Sequence, residues 1–168
     1  KFGLRLPGEF LIEDVKKATE LIHEAGKKVY VSVNALFHND RLDELDEYLK
    51  QIQEIGPDAI LFGDPAVLMS VRELGITIPL HWNPETIATN WFQVNYWGER
   101  GAKRAVLARE LSLDEIIEIK ENTTYEVEVQ VHGMTCMFQE NLTASAKTSR
   151  KLFLISRRSN GSGEPKRK

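Results

Sequence analysis

One cysteine in 168 residues, Cys136, excludes any internal disulfide and makes a reducing compartment, the cytoplasm, the simpler setting. Long apolar stretches are absent as well. The longest, such as Val29 to Val33 and Ala59 to Phe62, fall far short of the roughly 18 residues a membrane helix requires, so no membrane partner is expected. No G-x-G-x-x-G turn follows any strand-like segment, which counts against a dinucleotide-binding sheet. Neither H-E-x-x-H nor C-x-x-C spacing occurs, and His23, His38, His81 and His132 are scattered, so no metal site is expected. Positive charge is scarce before residue 147: residues 1–146 carry 14 basic against 24 acidic side chains, whereas eight basic side chains and one acid, Glu164, follow. The basic end reads first as a solvated terminus, with attraction to nucleic acid as the alternative. The opening Lys1-Phe2-Gly3-Leu4-Arg5 has neither an initiator methionine nor an apolar leader, which points to a fragment whose start lies upstream.

The remaining composition, 42% hydrophobic and 28% charged, is that of one globular domain. Apolar, β-branched runs alternate with helical patterns. Strands are predicted at Val29–Asn34, Ala59–Asp64, Pro79–Asn83, Ala105–Glu110 and Val127–His132. Helical spacing of apolar residues precedes each of them, with Gly26, Gly56-Pro57, Gly75 and Gly98 as stops and Ser112 with Glu115 as a capping box. Repeated βα units leave two α/β architectures, the closed barrel and the open doubly wound sheet. Polar residues at successive strand ends favour the barrel. A full barrel takes about 250 residues, so five strands in this length predict a partial TIM-type (β/α) barrel with parallel strands, apparently truncated. After Phe138 the alternation fails, so residues 1–138 are assigned to the barrel domain and 139–168 to a basic, poorly ordered tail.

The segment from Tyr125 to Cys136 is the most informative. Strand alternation puts Val127, Val129 and Val131 on one side and Glu126, Glu128, Gln130 and His132 on the other. Unpartnered polar groups cost roughly 2–7 kcal/mol each when buried, so this stripe is expected to line a wet cavity or a catalytic pocket. Glu128 and His132 lie about 13 Å apart along an extended strand, too far to hydrogen-bond each other but able to flank one ligand as proton-handling groups. Asn34, Asn83 and the pair Arg109-Glu110 are candidates for holding substrate. Only one of Arg109 and Glu110 is expected to face the pocket, since neighbouring strand residues point to opposite sides. Asp64, in Gly63-Asp64-Pro65, is either a further pocket residue or, more simply, the cap of the next helix. Cys136 is a nucleophile or ligand only if its surroundings activate it, and otherwise an inert thiol. Most of the aromatics Trp82, Trp91, Phe92, Tyr96 and Trp97 fall at helical spacing that suits a core or interface better than base stacking.

Glu128-Val-Gln-Val-His132-Gly133-Met-Thr-Cys136 resembles the E-x-x-x-H-G-x-x-C signature of the collagenase-like peptidases classed as family U32. Lys27 to Asn34, Pro57 to Pro65 and Arg109-Glu110-Leu111-Ser112 support the resemblance, which extends from residue 1 to about 138. It implies a protease by family label, while other members resemble enzymes that hydroxylate RNA bases, including the wobble uridine of transfer RNA at C5. A hydrolase would use His132 or Glu128 as general base toward water. A hydroxylase needs an oxygen donor or cofactor that the sequence does not identify, so the cofactor is left unassigned and the substrate is a peptide or an RNA. The third expectation is a non-catalytic binding or oligomerising fragment, since an incomplete barrel exposes strand edges that invite a second copy.

Overall fold

A computed structural model of the chain describes residues 10–85 and 87–132. The expectations placed on Cys136 and on residues 139–168 lie outside the described residues. In chain order the elements are α1 (Ile12–Glu24), β1 (Tyr30–Val33), a single 3₁₀ turn (Asn39–Arg41), α2 (Leu42–Ile55), β2 (Ala59–Phe62), α3 (Pro65–Glu73), β3 (Leu80–Trp82), α4 (Trp91–Glu99), β4 (Ala102–Val106), α5 (Leu113–Glu121) and β5 (Glu126–Glu128).

Local chemistry sets these boundaries. Gly56 ends α2 in the left-handed conformation, at φ 70°, which a residue without Cβ adopts freely. Asp64 caps α3: its Oδ1 accepts the Ala66 N–H at 2.9 Å, and Pro65 occupies the first helical position, where no N–H is needed. Asn90 accepts the Gln93 N–H at 3.0 Å and so delays the start of α4, which the aromatic pattern places at Thr86, to Trp91. The expected capping box opens α5, with the Glu115 carboxylate accepting the Ser112 N–H at 2.7 Å.

The five strands form one parallel sheet in the order β1-β2-β3-β4-β5. A doubly wound sheet reverses strand order at its switch point, whereas sequential order is that of a barrel arc. One face is apolar. Val31, Val33, Ile60, Phe62, Leu80, Trp82, Ala102 and Ala105 pack against Leu45, Leu49 and Ile52 of α2, Val67, Leu68 and Val71 of α3, Val94 of α4 and Ile119 of α5. Trp97 of α4 stacks on Trp82 at 5.5 Å between ring centroids and meets Phe62 edge-on at 5.6 Å. Most of the aromatic cluster therefore serves packing, as its spacing suggests.

Two strands differ from the sequence expectation. The fourth begins at Ala102, three residues early, because Lys103 and Arg104 are strand residues whose charges escape burial. A register shift between the Leu80–Ala102 and His81–Arg104 pairs leaves Lys103 as an extra residue. That bulge turns Arg104 to the face opposite Ala102, where plain alternation would place both on the same side. The fifth strand stops at Glu128, so residues 129–131 run on without ladder pairing and His132 sits in an exposed bend.

Gly98 in α4 has the Tyr125 ring lying where a Cβ would be. An alanine in a helix normally stabilises by about 1 kcal/mol over glycine. Here Gly98→Ala is expected to reverse that sign and cost about 1–3 kcal/mol by overpacking, read from the midpoint of urea unfolding.

Candidate active site at the strand ends

The sheet face away from the helices carries charge. Register pairs His81 with Arg104 and Arg104 with Glu126 across β3, β4 and β5. The Arg104 guanidinium donates to Glu126 Oε2 from Nε at 2.9 Å and from Nη2 at 2.7 Å, and to Glu128 Oε2 from Nη1 at 3.3 Å. Arg104 also lies 5.7 Å from the Tyr30 ring centroid. Burial opposes the Arg104 charge, but the Glu126 carboxylate and the Tyr30 hydroxyl more than offset it and raise its pKa. The same pairing holds Glu126 below the usual carboxylate value. Beneath this group His81 is buried, its ring edge on Tyr30 at 5.0 Å, and its Nδ1 has no hydrogen-bond partner among the described residues.

Above this layer, at the carboxyl ends of β3, β4 and β5, a cavity of about 240 Å³ is lined by Asn83, Glu85, Val106, Leu107, Arg109, Glu128, Val129 and Gln130. Its polar groups are tied to one another. Glu85 Oε1 accepts the Asn34 Nδ2–H at 2.6 Å, and Glu85 Oε2 lies 3.5 Å from Arg109 Nη2. Asn34, buried at the end of β1, also accepts the Ser32 hydroxyl at 2.9 Å. Gly63 at the end of β2 makes this convergence fit: a Cβ there would lie 3.2 Å from the Asn83 carbonyl oxygen and 3.5 Å from that of Asn34. Backbone bonds from Leu107 N to Glu128 O and from Ala108 N to Ala88 O, both 2.9 Å, close the rim.

Of the candidates from sequence, Asn83, Arg109 and Glu128 line the cavity, and Asn34 reaches it through Glu85. Gln130, on the same alternating stripe, lines it as well. Glu110 is exposed outside it, so of the Arg109-Glu110 pair the arginine faces the cavity. Both follow β4, so a turn and not strand alternation separates them. Asp64 is occupied structurally, capping α3 and accepting the Phe37 N–H at 2.9 Å. His132 is exposed and is not among the lining residues; its carbonyl accepts from Gln130 Nε2 at 3.2 Å. The 13 Å reach assumed a strand continuing to His132, and the ladder ends four residues earlier. Glu85 and Arg104 were not anticipated. Glu85 stands in a loop whose sequence, Asn83-Pro84-Glu85, carries a turn signal but no sign of which way the side chain turns. Among the described residues no group of three or more His, Cys, Asp or Glu side chains is arranged to hold a metal ion. No described helix is long and apolar enough to cross a membrane.

Burial, and after it the Arg104 charge, lowers the His81 pKa below 6.5, with Glu128 and Glu126 opposing. As pH falls below 6.5 the unfolded chain takes up a proton that the folded His81 refuses. Stability is therefore full above that pH and is lost on acidification down to the depressed folded value. Urea unfolding between pH about 5 and 8 should show this slope, and His81→Phe should flatten it.

Residues 1–151 match the sequence profile of Peptidase family U32. The chain is 60% identical over 139 residues to tRNA hydroxylation protein P2 of Bacillus subtilis (strain 168), a match covering 83% of this chain and 45% of that protein. It is 40% identical over 139 residues to tRNA hydroxylation protein P of Escherichia coli (strain K12), covering 82% of this chain and 31% of the relative. The chain thus spans less than half the length of these relatives. A solved structure of a U32 peptidase shares the fold with a TM-score of 0.64 at 16% identity, covering 77% of this chain and 56% of that one. With its strand-end signature, its sequential parallel sheet and a profile match over most of its length, the chain belongs to peptidase family U32.

Proposed function

We propose that the strand-end cavity belongs to an enzyme that hydroxylates a base of transfer RNA. The observation that carries this reading is the cavity itself. At about 240 Å³ it lies just below the roughly 300–1,000 Å³ of drug-sized ligand sites, which suits one ring swung out of its stack more than an extended peptide. Its lining supplies the amides of Asn83 and Gln130, which have the donors and acceptors to read a base edge. Arg109 offers a guanidinium to the nucleotide phosphate. Among the described lining residues none is a serine, threonine, cysteine or histidine, the side chains that serve as nucleophile or partner base in peptide cleavage. The two relatives are named for tRNA hydroxylation, which supports the same substrate class.

Hydroxylation replaces a ring C–H by C–OH, a two-electron oxidation in which an oxidising co-substrate supplies the oxygen and takes up the two electrons, and the proton leaving the ring carbon needs a base. We assign that role to Glu128, which lines the cavity and accepts from Arg104, since the other lining carboxylate, Glu85, is engaged by Asn34 and Arg109. Nucleoside analysis of transfer RNA from a strain lacking the complete gene, and from that strain carrying Glu128→Gln, tests this. The hydroxylated nucleoside should vanish on deletion, return with the wild-type gene, and stay about 10²-fold or more reduced with Glu128→Gln. Unchanged transfer RNA, with gelatin or peptide cleavage by the purified complete protein, would overturn the proposal in favour of hydrolysis.

A further inference from the structure

We infer that Glu85 is the positioning residue of the strand-end site, clasping Arg109 and Asn34 so that the guanidinium meets the phosphate of a bound nucleotide. The inference rests on the RNA reading for its ligand but not for its geometry.

Glu85 is the one described residue other than glycine with a left-handed backbone, at φ 67°. A residue with a side chain avoids that region, and persists there only where its surroundings hold it. The holding groups are visible. The Asn83 side chain accepts the Glu85 N–H at 3.3 Å, forming a tight turn directly after β3. That turn swings the Glu85 carboxylate inward to 18% exposure. One oxygen takes the Asn34 amide from β1 and the other faces Arg109 beyond β4. A single carboxylate thus bridges three strand ends across β2, over the notch left by Gly63.

Glycine would relax this backbone and serve better if only the turn mattered. A strained glutamate is kept where the carboxylate is needed, a common signature of sites that trade stability for geometry. The clasp fixes the direction of Arg109, which otherwise has the rotamer freedom of a long, partly exposed side chain. It leaves guanidinium nitrogens for a second, charge-assisted partner.

The test compares Glu85→Gln and Glu85→Gly in the complete protein. Arginine modification by phenylglyoxal is followed by mass spectrometry, with Arg104 as internal control, beside the thermal midpoint and the hydroxylated nucleoside in the complemented strain. Both variants should leave Arg109 modified several-fold faster and Arg104 unchanged. Glu85→Gly should hold or raise the thermal midpoint while lowering the hydroxylated nucleoside, a split that a merely structural role would not give. Arg109 modified at the wild-type rate in both variants, or Arg104 loosened equally with a lowered midpoint, would overturn the inference. Faster modification of Arg109 in a protein whose wild-type gene restores no hydroxylated nucleoside would sustain the clasp and discard the RNA reading.

Discussion

Every feature of the site depends on the sheet having two unlike faces. The helix-covered face is built from fully buried aliphatic and aromatic side chains, Val33, Ile60, Phe62, Leu49, Ile52 and Trp82 among them. Each contributes roughly 1.5–3 kcal/mol by leaving water, more than any one ion pair on the other side. The opposite face is thereby released from packing duty and free to carry charge. Its ion pairs around Arg104 are partly exposed, and such pairs contribute at most about 1 kcal/mol each. Their effect is on direction. They hold the Glu126 and Glu128 side chains over the sheet, and Glu128 reaches the cavity from there.

A parallel sheet ends every strand of one direction on the same rim, so residues distant in sequence meet there. Asn34, Asn83, Glu85, Arg109, Glu128 and Gln130 come from four strand ends, and their contacts span gaps as long as the 51 residues between Asn34 and Glu85. Beyond the last backbone bonds of the ladder, side chains hold the rim: Asn83 holds its own turn, Glu85 ties two neighbours, and Asp64 caps a helix while accepting from Phe37. Some of these polar groups shape loops and others face the cavity, which is why residue type at a strand end does not by itself separate the two roles.

Much of this was legible beforehand. The alternation of runs located all five strands, and Gly56, Pro65 and Ser112 marked helix boundaries by backbone rules that act within a few residues. Val127 of β5 and Val129 just beyond it do pack against the core, and Glu126 and Glu128 do share the other face. The differences have a common source. Lys103 and Arg104 fall outside the strand expected from Ala105, yet a bulge leaves Lys103 in solvent and two carboxylates on β5 receive Arg104. His132 was placed by extrapolating a strand that ends when its neighbour β4 ends, a limit set by pairing and not by local preference.

The amino-acid order therefore fixes what depends on near neighbours and on period: the βα repeat, the caps, the apolar faces and the family signature. Which polar side chains converge is settled by long-range pairing register and by turns. A one-residue bulge sends Arg104 to the charged face, and a left-handed backbone at Glu85 carries its carboxylate to Arg109. Both are small local departures whose consequences appear only when strands dozens of residues apart lie side by side, since side-chain direction follows register and register is a property of the assembled sheet.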